Sequence, residues 1–154
     1  MDSTDLLRAV ALAHEAHAKD LDRNGLPYVF HVMRVADRQT TLERRIIALL
    51  HDTVEHKKLT LQDIEQMFTK AIAYSVGLLS QRDNENYLTD YLQRVLQDED
   101  ACWVKLADVE DNTRIDRIDA KAARKFEKYR TAHEALRRRL GVTSPYELRS
   151  ILNK

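Results

Sequence analysis

A chain of 154 residues, 44% of them apolar, is long enough for one domain with a buried core and too apolar to be disordered. Three Gly and two Pro are too few for a turn-rich β protein and leave room for long helices. Lys plus Arg and Asp plus Glu both count 25, so the formal net charge is zero and a generally basic nucleic-acid binder finds no support.

Helical signals run along the whole chain. Ser3 can cap a first helix reaching about Lys19, with Leu6, Val10, Ala13, His14 and His17 on one face. The loop DLDRNG follows and ends on Asn24-Gly25. Pro27 suits the first turn of a second helix, from about Tyr28 to Arg38. Thr41 can cap a third, from Leu42 to about Thr53. Thr60 with Asp63 forms a capping-box pattern for a helix through Phe68. Further helices are predicted over 70–80, 87–97, 100–110 and 120–140, and the run SPYE at 144–147 opens a last one over 145–153. The expectation is an all-α bundle of about eight helices in a single domain spanning 1–154, with no linker, repeat or low-complexity segment.

Charge is uneven along this neutral chain. Asp98 to Asp119 holds eight acidic and three basic residues, and Lys121 to Leu140 holds eight basic and two acidic ones. Both runs fit solvated helix faces, and part of the basic run could instead collect an anionic substrate. Cys102 is the single cysteine and sits in the apolar ACWVKL, which suits a buried small side chain and a reducing compartment. The acidic start MDSTDLLRAV carries no long apolar run, so no signal peptide or membrane span is predicted, and the cytoplasm is the expected location.

The chemical signal begins with His51-Asp52, at the end of the apolar run IIALLHD. If both enter a pocket, they bring an imidazole nitrogen and a carboxylate oxygen to one point, a donor set for Mn, Fe, Co or Zn. His31 lies twenty residues earlier in the helical YVFHVMRVA, where it is either a hydrogen-bonded core histidine or a ligand. Asp108, in VKLADVEDN, would be costly on a buried face unless paired or bound to metal. His31, His51, Asp52 and Asp108 together complete a set of four. Glu55 shares a face with His51 and Asp52 if the third helix continues. There it could orient or deprotonate a metal-bound water, or it could simply be an exposed Glu in VEHKK.

These segments resemble the HD-type hydrolase domain of the RelA/SpoT family, whose members remove the 3′-pyrophosphate of (p)ppGpp with a Mn ion. The likeness covers about residues 5 to 140. The family's G-x-P-Y-x-x-H matches Gly25 to His31, its A-L-L-H-D-x-x-E matches Ala48 to Glu55, and its V-K-L-A-D-x-x-x-N-x-R matches Val104 to Arg114. The resemblance implies an HD-domain helical bundle and one divalent ion, Mn first, held by His31, His51, Asp52 and Asp108. It also implies Glu55 as the water-activating carboxylate and Asn112 as a nucleotide contact. His17 matches a family histidine and reads as a packing residue or one that supports a ligand.

Three positions depart from the family pattern. His56 stands where a second acid is usual, Asp22 and Arg23 replace an Arg-Lys pair whose Arg lies against the guanine base, and Ile115 replaces a Thr. His56 could donate a proton or could face solvent. Arg34 and Lys105, each three residues from a ligand, could meet a phosphate together with Arg23, or could form salt bridges. The expected reaction is hydrolysis of a small nucleotide by a metal-bound hydroxide, with no membrane or nucleic-acid partner. The alternative is a degenerate, non-catalytic module that keeps the metal and binds a nucleotide.

Overall fold

The computed structural model describes residues 1–113 and 120–142. Among these residues there are eight α-helices and no strand. Helix α1 spans Ser3–Ala16, α2 Val29–Asp37, α3 Leu42–Leu50, α4 Leu61–Met67 and α5 Lys70–Leu79. A π-helical turn, Tyr87–Tyr91, leads into the short α6, Leu92–Val95, and α7 (Glu99–Asn112) and α8 (Ala120–Leu140) complete the bundle. The all-α expectation holds. Ile115 and the helix predicted over 145–153 lie outside the described residues.

The caps explain most boundaries. Thr41 accepts Arg44 N–H, and Thr60 and Asp63 form the reciprocal capping box. The first helix is capped by Asp2 rather than Ser3: its Oδ1 accepts the N–H groups of Thr4 and Asp5. A carboxylate one residue earlier, on extended backbone, suits the positive helix end better than the Ser hydroxyl. His14, placed on the apolar face by the sequence reading, is exposed; that face centres on Ala9, Ala13 and His17.

The third helix stops at Leu50, three residues before the predicted Thr53. The Thr53 N–H and hydroxyl both donate to Leu50 O, at 3.0 and 2.7 Å, which replaces the ladder by turns. Residues 51–57 then form a turn segment that ends with Lys57 in the left-handed region (φ 57°).

The bundle is organised around α7, which contacts α2, α3, α5, α6 and α8. Its buried residues, from Ala101 through Lys105 and Asp108 to Asp111, lie on all sides of the helix rather than on one stripe. The run Ile46 to Leu50 of α3 is likewise fully buried, hemmed in by α1, α2, α5 and α7. Each buried Leu or Ile contributes roughly 1.5–3 kcal/mol, and Leu50→Ala would cost about 2–5 kcal/mol. Cys102 is buried and its Sγ lies 3.4 Å from Val95 O, as the sequence suggests. No described helix is long and apolar enough to cross a membrane.

Candidate metal centre

The core brings the end of α3, the first turn of α2 and the last turns of α7 to one point. There, ligand atoms of His31, His51 and Asp108 all lie within 4.8 Å of one another. Asp108 Oδ1 is 3.1 Å from His31 Nε2 and 3.8 Å from His51 Nε2. Asp52 adjoins this set through His51: its Oδ2 is 3.2 Å from His51 Nε2 and accepts the Tyr28 hydroxyl at 2.5 Å.

Neighbouring groups orient both rings. His31 Nδ1 lies 2.7 Å from Asp111 Oδ2, an acceptor only, so Nδ1 carries the proton. His51 Nδ1 lies 2.6 Å from Ala48 O, a carbonyl near the end of α3, and donates to it. Each neutral ring is thereby left with its lone pair on Nε2. In the neutral rings both buried Nε2 lone pairs face the Asp108 and Asp52 carboxylate oxygens with no proton to donate, an arrangement that is costly unless something else uses those lone pairs.

Asp108 is held on its other side. Lys105 Nζ donates to Oδ2 at 2.7 Å and Asn112 Nδ2 donates to Oδ1 at 2.9 Å. Burial disfavours charge on Asp108, but Lys105 and the two imidazoles outweigh it and hold the carboxyl well below its usual range. Burial likewise works against charge on Lys105, and Asp108 with the facing Tyr91 and Tyr87 rings more than compensates. Burial pushes the His31 imidazolium down, yet Asp108 and Asp111 raise its pKa to about 9; Asp52 and Asp108 raise that of His51 in the same way. The carboxylates thus demand positive charge at this point. Protons on the rings supply it in one state, and a divalent cation can displace them in another.

The remaining predicted residues take different places. Arg34 does not face an open site: its Nε and Nη2 bind Asp111 at 2.7 and 3.1 Å, the salt-bridge alternative. Lys105 and Asn112 are engaged with Asp108 rather than presented to a ligand. The acidic Glu110-Asp111 reads from sequence as part of a solvated face, but Asp111 is buried and joins His31 to Arg34. Its spacing from Asp108, one helical turn, is the signal that could have found it. Glu55 is on the turn segment after α3, an exposed residue whose Oε2 lies 3.4 Å from Gln81 N. Partial desolvation, then the Asp52 charge, raises its pKa.

Arg23 is exposed in the loop between α1 and α2. That loop is shaped by Asp22, whose Oδ1 accepts Asn24 and Leu26 N–H at 2.8 and 3.0 Å, and by Gly25 at φ 77°. Asp22, read from sequence as a lost stacking cation, has a structural task in this chain. The His56 ring packs against Tyr28 and His17, beside Asp20.

No protein-family model matches the chain. It is 32% identical over 124 residues to the bifunctional (p)ppGpp synthase/hydrolase SpoT of Escherichia coli K12, covering 71% of this chain and 18% of that protein. It is 29% identical over 121 residues to the guanosine-3′,5′-bis(diphosphate) 3′-pyrophosphohydrolase of Aquifex aeolicus, covering 71% and 17%. The chain therefore spans about a fifth of the length of these relatives. Among solved structures, a metazoan ortholog of SpoT that hydrolyses ppGpp superposes with a TM-score of 0.72 at 19% identity, over 92% of this chain and 94% of that one.

Proposed function

This chain is SpoT-like in sequence and has the all-helical fold of a SpoT ortholog; on that premise we propose that it is a metal-dependent phosphohydrolase removing the 3′-pyrophosphate of guanosine 3′,5′-bis(diphosphate) or a close relative. The observation that carries the reading is the convergence of the buried His31 and His51 Nε2 atoms on Asp108 Oδ1, 3.1 and 3.8 Å away, while each Nδ1 is engaged elsewhere. Two imidazole nitrogens with carboxylate oxygens from Asp108 and Asp52 suit a borderline divalent cation, and Mn²⁺ is the ion we assign. Such a cation, when bound, lowers the pKa of a coordinated water and offsets charge on phosphorus.

The chain's own residues supply the rest. Asp111 and the Ala48 carbonyl hold the two rings with Nε2 turned inward. Lys105 and Asn112 hold Asp108, and Tyr28 holds Asp52. Glu55, its pKa raised by partial burial and the Asp52 charge, accepts the proton of the attacking water. The bond broken is that between the ribose 3′-oxygen and phosphorus; the water oxygen leaves on pyrophosphate. Arg23, exposed in its loop, is the cation we assign to the substrate's phosphates.

The test is pyrophosphate release from guanosine 3′,5′-bis(diphosphate) by the Mn-supplemented chain, with GTP, GDP and ATP as comparators. Release from the 3′ position is expected. Absence of hydrolysis across the panel, by folded and metal-loaded protein, rejects the proposal.

A further inference from the structure

A second group of ligand-type side chains lies outside the centre described above. One ring nitrogen each of His17 and His56 and one carboxylate oxygen of Asp20 lie within 4.8 Å of one another. Three separate segments supply them: the end of α1, the loop after it and the turn after α3. Asp20 Oδ2 is 3.0 Å from His17 Nδ1 and 3.9 Å from His56 Nδ1, and the two rings meet edge to face at 5.5 Å.

Two observations point to a ligand rather than to packing. Three separate segments bring ligand-type atoms together at one point, and the buried His17 turns Nδ1 to it, 3.0 Å from Asp20 Oδ2. The nearest counter-charge to Asp20 from outside the group, Lys58 Nζ, is 3.7 Å away, a loose pairing that a cation would outcompete. A borderline divalent ion prefers two imidazoles and one carboxylate, and the side chains of Asp20 (29% exposed) and His56 (36% exposed) leave the outer side open for water or an anion. Tyr28 adjoins both groups: its ring centroid is 5.1 Å from that of His17, 5.4 Å from that of His56 and 5.3 Å from that of His31.

We propose that His17, Asp20 and His56 bind a second divalent transition-metal ion, at a group that shares the Tyr28 ring as a neighbour with the first. The proposal stands independently of the hydrolytic reading, because it concerns metal content alone. The test is the number of Co²⁺ or Zn²⁺ ions retained per chain after equilibrium dialysis, measured by elemental analysis on the full chain. Two ions are expected for the unaltered chain, and one for His56→Gln, for Asp20→Asn and for Asp108→Asn. The visible Co²⁺ spectrum should lose one component in His56→Gln and a different one in Asp108→Asn. His56 is on the surface, so its variant stays folded even if Asp20→Asn does not. An ion count that is unchanged in folded His56→Gln, whether one or two, overturns the proposal.

Discussion

Replacing Asp111 with Asn isolates what a residue that touches no substrate does for the centre. The carboxylate accepts three donors, His31 Nδ1 and Arg34 Nε and Nη2, all between 2.7 and 3.1 Å. An amide of the same shape accepts through one oxygen only and turns an NH₂ group toward at least one of those donors. His31 then loses the acceptor that fixes its proton on Nδ1, and its Nε2 is no longer held as a lone pair. Losses of this kind reduce metal affinity about 10–100-fold, which is roughly 1.4–2.7 kcal/mol. Because Arg34 is 31% exposed, water solvates much of its freed charge, and the protein stays folded. The assay is calorimetric titration with Mn²⁺ in a His56→Gln background, so that ions at the neighbouring group do not enter. Circular dichroism serves as the folding control. An affinity within twofold of the parent, in folded protein, refutes the idea that Asp111 prepares His31 for a cation.

Other outcomes follow from the same geometry. Asp108→Ala leaves Lys105 buried without its partner, so urea unfolding should show a loss of about 3–5 kcal/mol, most of it recovered in Lys105→Met/Asp108→Ala; equal losses would show that the stranded charge is not the cause. The His31 pKa is raised from 6.5 to about 9. Its contribution to metal-free stability is therefore complete below about pH 6.5 and is lost as pH rises through about 9, and a melting-temperature series in chelator checks this. For the same reason apparent Mn²⁺ affinity should increase with pH across that window, since the cation displaces protons; a flat profile contradicts the assignment. On the proposed role of Glu55 as the acceptor of the water proton, Glu55→Gln should lower turnover about 10²–10⁴-fold and leave metal affinity unchanged; a weakened affinity contradicts that role.

Much of this was legible in the sequence because ligand-type residues sat in apolar helical runs, where a charge needs a reason. His31 in YVFHVMRVA and Asp108 in VKLADVEDN are of this kind; α7 starts where Asp98 caps it, and α2 starts just after Pro27 without a side-chain cap. Spacing also put Arg34 and Lys105 near the centre correctly. It could not tell which anion each would meet, and in both cases a buried carboxylate of the protein itself is the partner. Asp111 was hidden by its acidic neighbours, since a local charge count does not separate the buried face of a helix from the wet one. The end of α3 carries no Gly or Pro; Thr53 ends it through its own hydroxyl, which a periodicity reading passes over. The meeting of Asp20 with His17 and His56 depends on how the loop after α1 lies against the turn after α3, a tertiary fact without a local signature.

The enclosure of α7 sets a hierarchy of persistence within the centre. Asp108 and Asp111 sit on a helix that other helices cover on all sides, so their amide protons should exchange with solvent only when the whole molecule opens. Glu55 and His56 ride on an exposed turn that can open on its own at little cost. The carboxylates that hold the histidines thus endure for the lifetime of the native state, while the turn beside them can rearrange within it.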